Sequence, residues 1–288
     1  MRVVSLVPSA TEIIAALGLA GQLVGRSHEC NYPPEVLSAP VVSASRIDTT
    51  TIPSAQIDRA VRAALEDGRP LYAIDAELLE SLAPDLIVTQ DLCEVCAVPS
   101  GDVKRLVHVD VETIALDPRD LGEIEDSIRK IARHLHVAGP GELLAQEMHD
   151  RIDDVHQLVR GLPRYRVFVA EWLDPPFAAG HWVPEMVSLA GGEEVLGRPR
   201  ERSFETTWDA VKDAAPHLVV LAPCGFDLER TLSEAGSVPP LGARVVAVDG
   251  DAAYSRPGPR VADGVAQLAH LLHPDDVPAP ALPSRELA

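Results

Sequence analysis

Short apolar runs of strand length alternate along this chain with stretches of helical periodicity. Val, Ile and Leu concentrate at 3–7, 23–26, 41–43, 85–89, 166–170, 218–222 and 244–248. Such runs, bounded by Gly, Pro and polar residues, predict buried parallel strands. Helical periods lie between them at 54–67, 121–137, 140–159, 183–189 and 259–272. At the start of the first helix, Ser9 and Glu12 have the spacing of a capping box. This alternation predicts an α/β fold.

One long helical period separates two alternating halves of the chain. Gly139-Pro140 breaks the pattern, and proline at the first helical position favours a new helix from 140 to 159. About 20 helical residues span about 30 Å, which is enough to join two domains. The sequence therefore predicts two Rossmann-like α/β lobes joined by a long helix, with a ligand cleft between the lobes. The predicted ranges are 1–138 and 162–273 for the lobes, 139–161 for the connecting helix and 274–288 for a disordered tail.

The charge of the chain narrows the class of partner. Lys and Arg number 25 against 44 Asp and Glu, which gives a formal charge of -19. Nucleic acids and anionic membranes reward basic surfaces, so neither is expected as a partner. No apolar stretch approaches the roughly 18 residues that suggest a membrane span. Met1 to Pro8 enters a strand without the pattern of a signal peptide, which predicts a cytoplasmic protein. A trimmed leader would instead place it in the periplasm or outside the cell.

The four cysteines occupy related positions. Each follows the carboxyl end of a predicted strand, and they are Cys30, Cys93, Cys96 and Cys224. Ligands bind at that edge of open α/β sheets, and four thiolates satisfy a zinc or iron–sulfur site. Two alternatives stay open: Cys30 and Cys224 as ordinary buried thiols, and Cys93 with Cys96 as a redox pair.

Other polar and aromatic residues concentrate in the same predicted loops. They are His28, Glu29, Tyr32, Asp91, Glu171, Trp172, Phe177, His181 and Trp182. The histidines are candidate metal ligands, including the axial ligand of a corrinoid cobalt, although solvated loop histidines are the simpler interpretation. The aromatic side chains offer planar apolar surfaces to a ring-shaped ligand or pack in a core. Phosphate-loop, dinucleotide-binding, zinc-protease and hydrolase signatures are missing, which lowers the expectation of catalysis.

A set of motifs resembles the helical-backbone (class III) substrate-binding proteins of ABC importers, with most similarity to the vitamin B12 (cobalamin) branch. The motifs are Val3 to Glu12, Val24-Gly25, Tyr32-Pro33-Pro34, Leu82 to Ile87, Arg166-Val167-Phe168, Pro175-Pro176-Phe177, Gly180, Ala190-Gly191-Gly192 and Arg256 to Arg260. The resemblance covers about residues 2 to 272 and implies two lobes joined by a rigid helix. It also implies ligand contacts near Ser5 to Ser9, His28 to Tyr32, Gln90 to Cys96, Glu171 to His181 and Cys224.

Three positions depart from the pattern of this family. The resemblance implies an acidic docking residue for the permease on each lobe; Glu77 stands at the first position and Ser255 at the second. Ala253 stands where the B12 branch has a tryptophan, and the helix at 54–67 is an insertion. These departures count against docking to an ABC permease.

The leading hypothesis is a non-catalytic protein that binds cobalamin, or a related corrinoid or metal chelate, in the cleft. Ser9 and Gln90 join the candidate ligand contacts through the resemblance. The alternative is a metalloprotein with a Cys-ligated zinc or iron–sulfur site in the same cleft, with redox or corrinoid-processing activity as its extension. The cysteines discriminate between the two, since only the second hypothesis requires them to hold a metal.

Overall fold

The computed structural model describes residues 1–91, 101 and 111–287, which fall into two compact units. The first unit comprises Met1–Ile52, Gln56–Asp117 and Glu125–Ala145, and the second comprises Pro53–Ala55, Pro118–Ile124 and Gln146–Ala288. Each unit has its own sheet with parallel central strands, accompanied by helices, so the α/β fold is confirmed. Every helix in the described ranges is too short or too polar to span a bilayer.

The first unit contains a four-stranded parallel sheet in the order β2-β1-β5-β6. Its strands are β1 Val3–Ser5, β2 Leu23–Arg26, β5 Leu86–Gln90 and β6 Glu112–Leu116. β5 is buried at every position, as expected of a central strand covered on both faces. Two further strands, β3 Ser43–Ser45 and β4 Tyr72–Ile74, form a small antiparallel pair. The helices are α1 Pro8–Ala16, α3 Ala76–Ser81 and α2 Ser54–Glu66, of which the first two residues belong to the second unit.

The sheet of the second unit is mixed and is centred on the long strand β7. β7, β11 and β12 are parallel, and antiparallel strands complete the order β10-β8-β7-β11-β12-β13. The strands are β7 Tyr165–Leu173, β8 Pro176–Ala178, β9 Gly192–Glu194, β10 Phe204–Glu205, β11 Leu218–Leu221, β12 Arg244–Val248 and β13 Ser284–Glu286. β9 pairs with the first part of β7, next to β8.

Seven further α-helices lie in the described part of the chain. Two contribute residues to both units: α4 Leu121–His134 and α5 Ala138–Val159. The others lie in the second unit: α6 Val183–Leu189, α7 Trp208–Asp213, α8 Leu228–Glu234, α9 Gly250–Ala253 and α10 Val261–Leu272. The 22-residue α5 matches the long helix expected from the sequence.

Three local expectations are wrong. α1 begins at Pro8 and its first turn has no side-chain cap, because proline at the first helical position sets the start one residue ahead of the capping box. The strand predicted at 41–43 lies at Ser43–Ser45, where β4 pairs with it. The loop predicted at 171–182 is largely a hairpin, because β7 continues to Leu173 and turns directly into β8.

The carboxyl-terminal segment is folded, although its Pro- and Ala-rich composition predicts disorder from 274. β13 pairs antiparallel with the edge strand β12, and Val277 is 4% exposed. Arg244 of β12 forms an ion pair with Glu286 of β13 at 3.1 Å. The physical reason is that the backbone groups of an edge strand remain available for pairing, and a short tail satisfies them whatever its composition.

Candidate functional site

The carboxyl edge of the first sheet holds a buried cluster of hydroxyl groups around Cys30. The thiol is 0% exposed, and Thr11 Oγ1 lies 2.9 Å from its Sγ and 2.8 Å from Ser5 Oγ. Ser27 Oγ lies 3.3 Å from the same sulfur. The cluster ties the loops after β1 and β2 together. These contacts give Cys30 the surroundings of a structural thiol packed among hydroxyl groups.

His28 and Glu29 lie beside this cluster. His28 Nδ1 is 2.9 Å from Ser43 Oγ, its Nε2 is 3.3 Å from Glu29 Oε1, and its ring lies 5.7 Å from that of Tyr72. Burial lowers the pKa of His28, which favours the neutral imidazole. A neutral ring has one nitrogen lone pair available to a metal or a donor. Tyr32, in the same loop, is 43% exposed.

Three further candidates lie at the ends of β1 and β5. Ser9 is 1% exposed, and its hydroxyl has no hydrogen-bond partner within the described part of the chain. Gln90 is the buried last residue of β5, and Asp91 follows it exposed. Cys93 and Cys96 lie outside the described residues. A buried hydroxyl without a partner is costly unless something else satisfies it, so Ser9 is a good candidate for a ligand contact.

In the second unit, Trp172 and Phe226 form an aromatic pair at the carboxyl ends of β7 and β11. Their ring centroids are 5.1 Å apart at 56°. Trp172 Nε1 is buried without a hydrogen-bond partner among the residues described. Phe177 of β8 stands opposite Trp172 in the hairpin register. The pair therefore combines an apolar surface with an unused hydrogen-bond donor.

Glu171 accepts hydrogen bonds from two neighbouring segments of the backbone. Its Oε1 accepts from the N–H of Gly180 at 3.2 Å, and its backbone carbonyl accepts from the N–H of Cys224 at 3.0 Å. Cys224 is half-buried and follows β11 as predicted. The structure thus brings Glu171, Trp172 and Cys224 to one edge of the second sheet.

His181 and Trp182 lie where the hairpin leads into α6. His181 has a φ of 50°, and its backbone N–H and C=O bond to Glu201 and Arg200 at 2.7 and 2.9 Å. The Trp182 ring lies 5.7 Å from His181 and is 4% exposed, and its Nε1 donates to Tyr254 O at 2.9 Å. Trp182 therefore packs in the core, beneath the candidate contact His181.

The sequence did not point to Phe226 or Tyr254 as members of this edge. Phe226 lies two residues after Cys224, and Tyr254 follows the short α9. The sequence feature that could have identified them is an isolated aromatic residue after each of β11 and β12, in a chain with few aromatic residues.

A four-thiolate metal site finds no support in the described residues. In residues 1–91, 101 and 111–287, no three or more His, Cys, Asp and Glu side chains gather as a metal site. Cys30 is enclosed by hydroxyl groups instead. Since Cys93 and Cys96 lie outside those ranges, their role stays a prediction.

Glu194 accepts hydrogen bonds from backbone groups beside the β7–β8 hairpin. Its Oε1 accepts from the N–H groups of Gly197 at 3.0 Å and Leu196 at 3.3 Å, and its Oε2 accepts from Val169 at 3.1 Å. Val169 lies between the stretches of β7 that pair with β9 and β8. Burial raises the pKa of the Glu194 carboxyl to about 7, although these N–H groups act in the opposite direction.

The stability of the protein should therefore depend on the protonation of Glu194. Between its ordinary pKa of 4.5 and about 7 the folded protein holds a proton that the unfolded chain releases. Stability is then greatest below this range, falls as pH rises through it, and is constant above it. We expect a loss of about 2 kcal/mol, since partial contact with water reduces the full effect of the shift.

The measurement is urea unfolding at about pH 5 and about pH 8. Glu194→Gln should lower the stability difference between the two pH values. Glu193→Gln is the matched control, because the Glu193 side chain is 61% exposed. If the free energy of unfolding of Glu194→Gln differs between the two pH values as much as that of the wild type, the prediction is contradicted.

Comparison with known proteins gives a consistent result. The family model described as periplasmic binding protein matches residues 3–235. The vitamin B12-binding protein of Vibrio cholerae is 24% identical over 280 residues, covering 94% of this chain and 88% of that protein. The vitamin B12-binding protein of Yersinia pestis is 24% identical over 286 residues, covering 98% of this chain and 89% of that protein.

Solved structures show the same fold. The periplasmic heme binding protein from Pseudomonas aeruginosa superposes with a TM-score of 0.75 at 20% identity, covering 98% of this chain and 97% of that chain. The vitamin B12 binding protein BtuF of Vibrio cholerae gives a TM-score of 0.67 at 23% identity, covering 94% and 96%. The resemblance to class III substrate-binding proteins is confirmed, and the family match spans most of the chain. The chain therefore belongs to the periplasmic binding protein family.

Proposed function

We propose that this chain is a non-catalytic binding protein for a tetrapyrrole-derived metal chelate, with cobalamin as the ligand. The observation that carries the proposal is the Trp172–Phe226 pair, whose buried indole N–H has no partner in the described part of the chain. An aromatic surface with one unused donor suits a large ring whose periphery carries hydrogen-bond acceptors. The names of the relatives, vitamin B12-binding and heme-binding, support this ligand class.

Charge favours cobalamin over heme. The formal charge is -19, and carboxylates such as Glu29, Asp91, Glu171 and Asp174 lie in the candidate segments at the carboxyl ends of strands. Heme carries two carboxylates, which such surroundings repel, whereas the corrin periphery carries neutral amides that donate hydrogen bonds to carboxylates. Heme remains the second candidate because heme-binding proteins share the fold.

Each unit has proposed contacts at the carboxyl edge of its own sheet. In the first unit they are Ser9, His28, Glu29, Tyr32, Gln90 and Asp91. In the second unit they are Glu171, Trp172, Phe177 and His181. His28 is the candidate axial ligand of the metal, since burial lowers its pKa and keeps the imidazole neutral. Trp182 supports the second group from the core.

The proposed location is the periplasm or the outer face of the membrane. The family description and the names of the solved heme- and vitamin B12-binding structures are periplasmic, and they give no support to the cytoplasmic location expected from the first residues. Delivery of the ligand to an importer is the role of this family, and Ser255 at the second docking position counts against it. Glu77, exposed in the first turn of α3, is the candidate docking residue on the first unit.

Ligand titration tests the proposal. We expect cobalamin to bind with one-to-one stoichiometry, followed by its absorption spectrum and by retained cobalt after desalting. Trp172→Leu should weaken binding about tenfold or more, because it removes a half-buried aromatic side chain and its unused donor. Trp208→Phe is the control, since Trp208 packs against the core from its edge, with its ring 6.2 Å from that of Phe168.

The outcomes separate the candidates. If the protein retains hemin but not cobalamin, heme replaces cobalamin as the proposed ligand. Retention of neither, with zinc or iron in the purified protein, would favour the Cys-ligated alternative. If Trp172→Leu and Trp208→Phe bind cobalamin with equal affinity, the aromatic pair is not part of the ligand site.

A further inference from the structure

A buried amide lies behind the candidate edge of the second unit. Tyr254 and Gln267 are 1% and 2% exposed, and Tyr254 Oη donates to Gln267 Oε1 at 2.9 Å. Burial raises the pKa of Tyr254 above its ordinary range, so the phenol stays a neutral donor. A buried polar pair of this kind is stable only when its remaining groups are also satisfied.

The carboxyl-terminal segment satisfies the other end of the amide. Gln267 Nε2 donates to the backbone carbonyls of Leu282 at 3.2 Å and Pro283 at 3.1 Å. Carbonyl oxygens accept only, so the amide nitrogen must face them and the amide oxygen must face Tyr254. The orientation of Gln267 is thus fixed from both sides, and the segment at 282–283 is connected to Tyr254.

On the other side, Tyr254 holds Trp182. The backbone carbonyl of Tyr254 accepts from Trp182 Nε1 at 2.9 Å, and the Trp182 ring lies 5.7 Å from His181. His181 has a φ of 50°, a backbone conformation that non-glycine residues adopt rarely. The surroundings of His181 must therefore maintain this conformation.

Residues 282–287, which we name the strap, are attached along their length. β13 pairs with β12, the N–H of Leu287 donates to Val245 O at 2.9 Å, and Leu287 packs against the core of the second unit. Without these contacts the two carbonyls that hold Gln267 would be free to move.

We propose that the strap positions Trp182 and His181 for ligand binding through Gln267 and Tyr254. The ligand part of this inference rests on the proposed function. The positional part does not, since it concerns hydrogen bonds that exist without ligand. Gln267 and Tyr254 are positioning residues, and His181 is the contact that they position.

The register of β13 supplies a matched pair of variants. Hydrogen-bonded pairs alternate along antiparallel strands, so Arg285 N–H faces β12 as Leu287 N–H does, and Glu286 N–H faces away. Arg285→Pro removes a backbone hydrogen bond that holds the strap, whereas Glu286→Pro removes no backbone hydrogen bond to β12. The ion pair lost with Glu286 is exposed and contributes little.

The first readout is the exchange rate of the Trp182 indole N–H, followed by NMR and assigned with Trp182→Phe. We expect exchange about tenfold faster in Arg285→Pro, faster to a smaller degree in Tyr254→Phe, and unchanged in Glu286→Pro. Tyr254→Phe decides the question if Arg285→Pro does not fold. If the Trp182 indole N–H exchanges at the wild-type rate in both Arg285→Pro and Tyr254→Phe, the inference is overturned.

The second readout is cobalamin affinity, with hemin as the alternative probe. Arg285→Pro should weaken binding about fivefold, and Glu286→Pro should bind as the wild type does. Faster exchange with unchanged affinity would overturn the role in binding. A wild type that binds neither probe would overturn the proposed function, while the exchange rates still test the positional role.

Discussion

Gly250→Ala is expected to lower the free energy of unfolding by about 3 kcal/mol. A Cβ at this position would lie 2.4 Å from Pro223 O and 2.6 Å from the carbonyl carbon of Ala222. Both atoms belong to the backbone, so no side-chain rotation relieves the contact. Gly250 begins α9 directly after β12, and Ala222 and Pro223 follow β11, so the glycine allows the two strand ends to approach closely. The clash can be relieved only by separating them.

Chemical denaturation of the wild type and of the variant measures this effect. Gly236→Ala is the matched control, because nothing lies within 4 Å of a Cβ built there. We expect the control to change stability by less than about 1 kcal/mol. A Gly250→Ala protein as stable as the control would show that the loop at 222–224 moves aside without cost. Ligand affinity should also fall in Gly250→Ala, because Phe226 follows the displaced residues.

Much of the fold is predictable from continuous apolar runs. The run at 85–89 corresponds to β5, which is buried at every position, and the run at 218–222 corresponds to β11. Such strands are covered on both faces, so burial alone determines which residues they contain. The sequence also identifies the edges that carry candidate residues, because those edges follow directly from where the runs end.

The β7–β8 hairpin was not predictable in the same way. β8 contains three residues and begins with Pro176, which suggests a loop when the sequence is considered alone. Proline is tolerated there because the first residue of a short strand need not donate to the sheet. Glu171 and Trp172 consequently lie in a strand rather than in a loop, which fixes their direction more strongly than the sequence indicates.

The supporting residues of the site depend on contacts between distant positions. Gln267 holds carbonyls 15 and 16 residues away, and Trp182 donates to a residue 72 positions later. Periodicity reports which face of an element is buried, but it does not report which polar group meets which. For this reason the roles of Tyr254, Gln267 and Glu194 emerge only from the structure.

Asp251→Ala is expected to destabilise the protein by about 3 kcal/mol or more, because it leaves a buried guanidinium without its carboxylate. Arg256 is 4% exposed, and its Nε donates to Asp251 Oδ1 at 2.9 Å while a second N–H donates to Oδ2. This bidentate pair closes the turn that carries Tyr254. The charge of Arg256 cannot be relieved by deprotonation, since guanidinium remains protonated in proteins.

The opposite substitution should cost less. Arg256→Met leaves Asp251, whose side chain is 20% exposed and keeps contact with water, so we expect a loss of about 2 kcal/mol. The double variant should lose less than the sum of the two single losses, because neither member of the bidentate pair then remains in place without the other. Asp67→Ala, in an exposed pair with Arg69, is the control and should change stability by less than about 1 kcal/mol. If the losses of unfolding free energy in the two single variants add up in the double variant, Arg256 and Asp251 are not energetically coupled. Arg256 is then held in place by its other contacts.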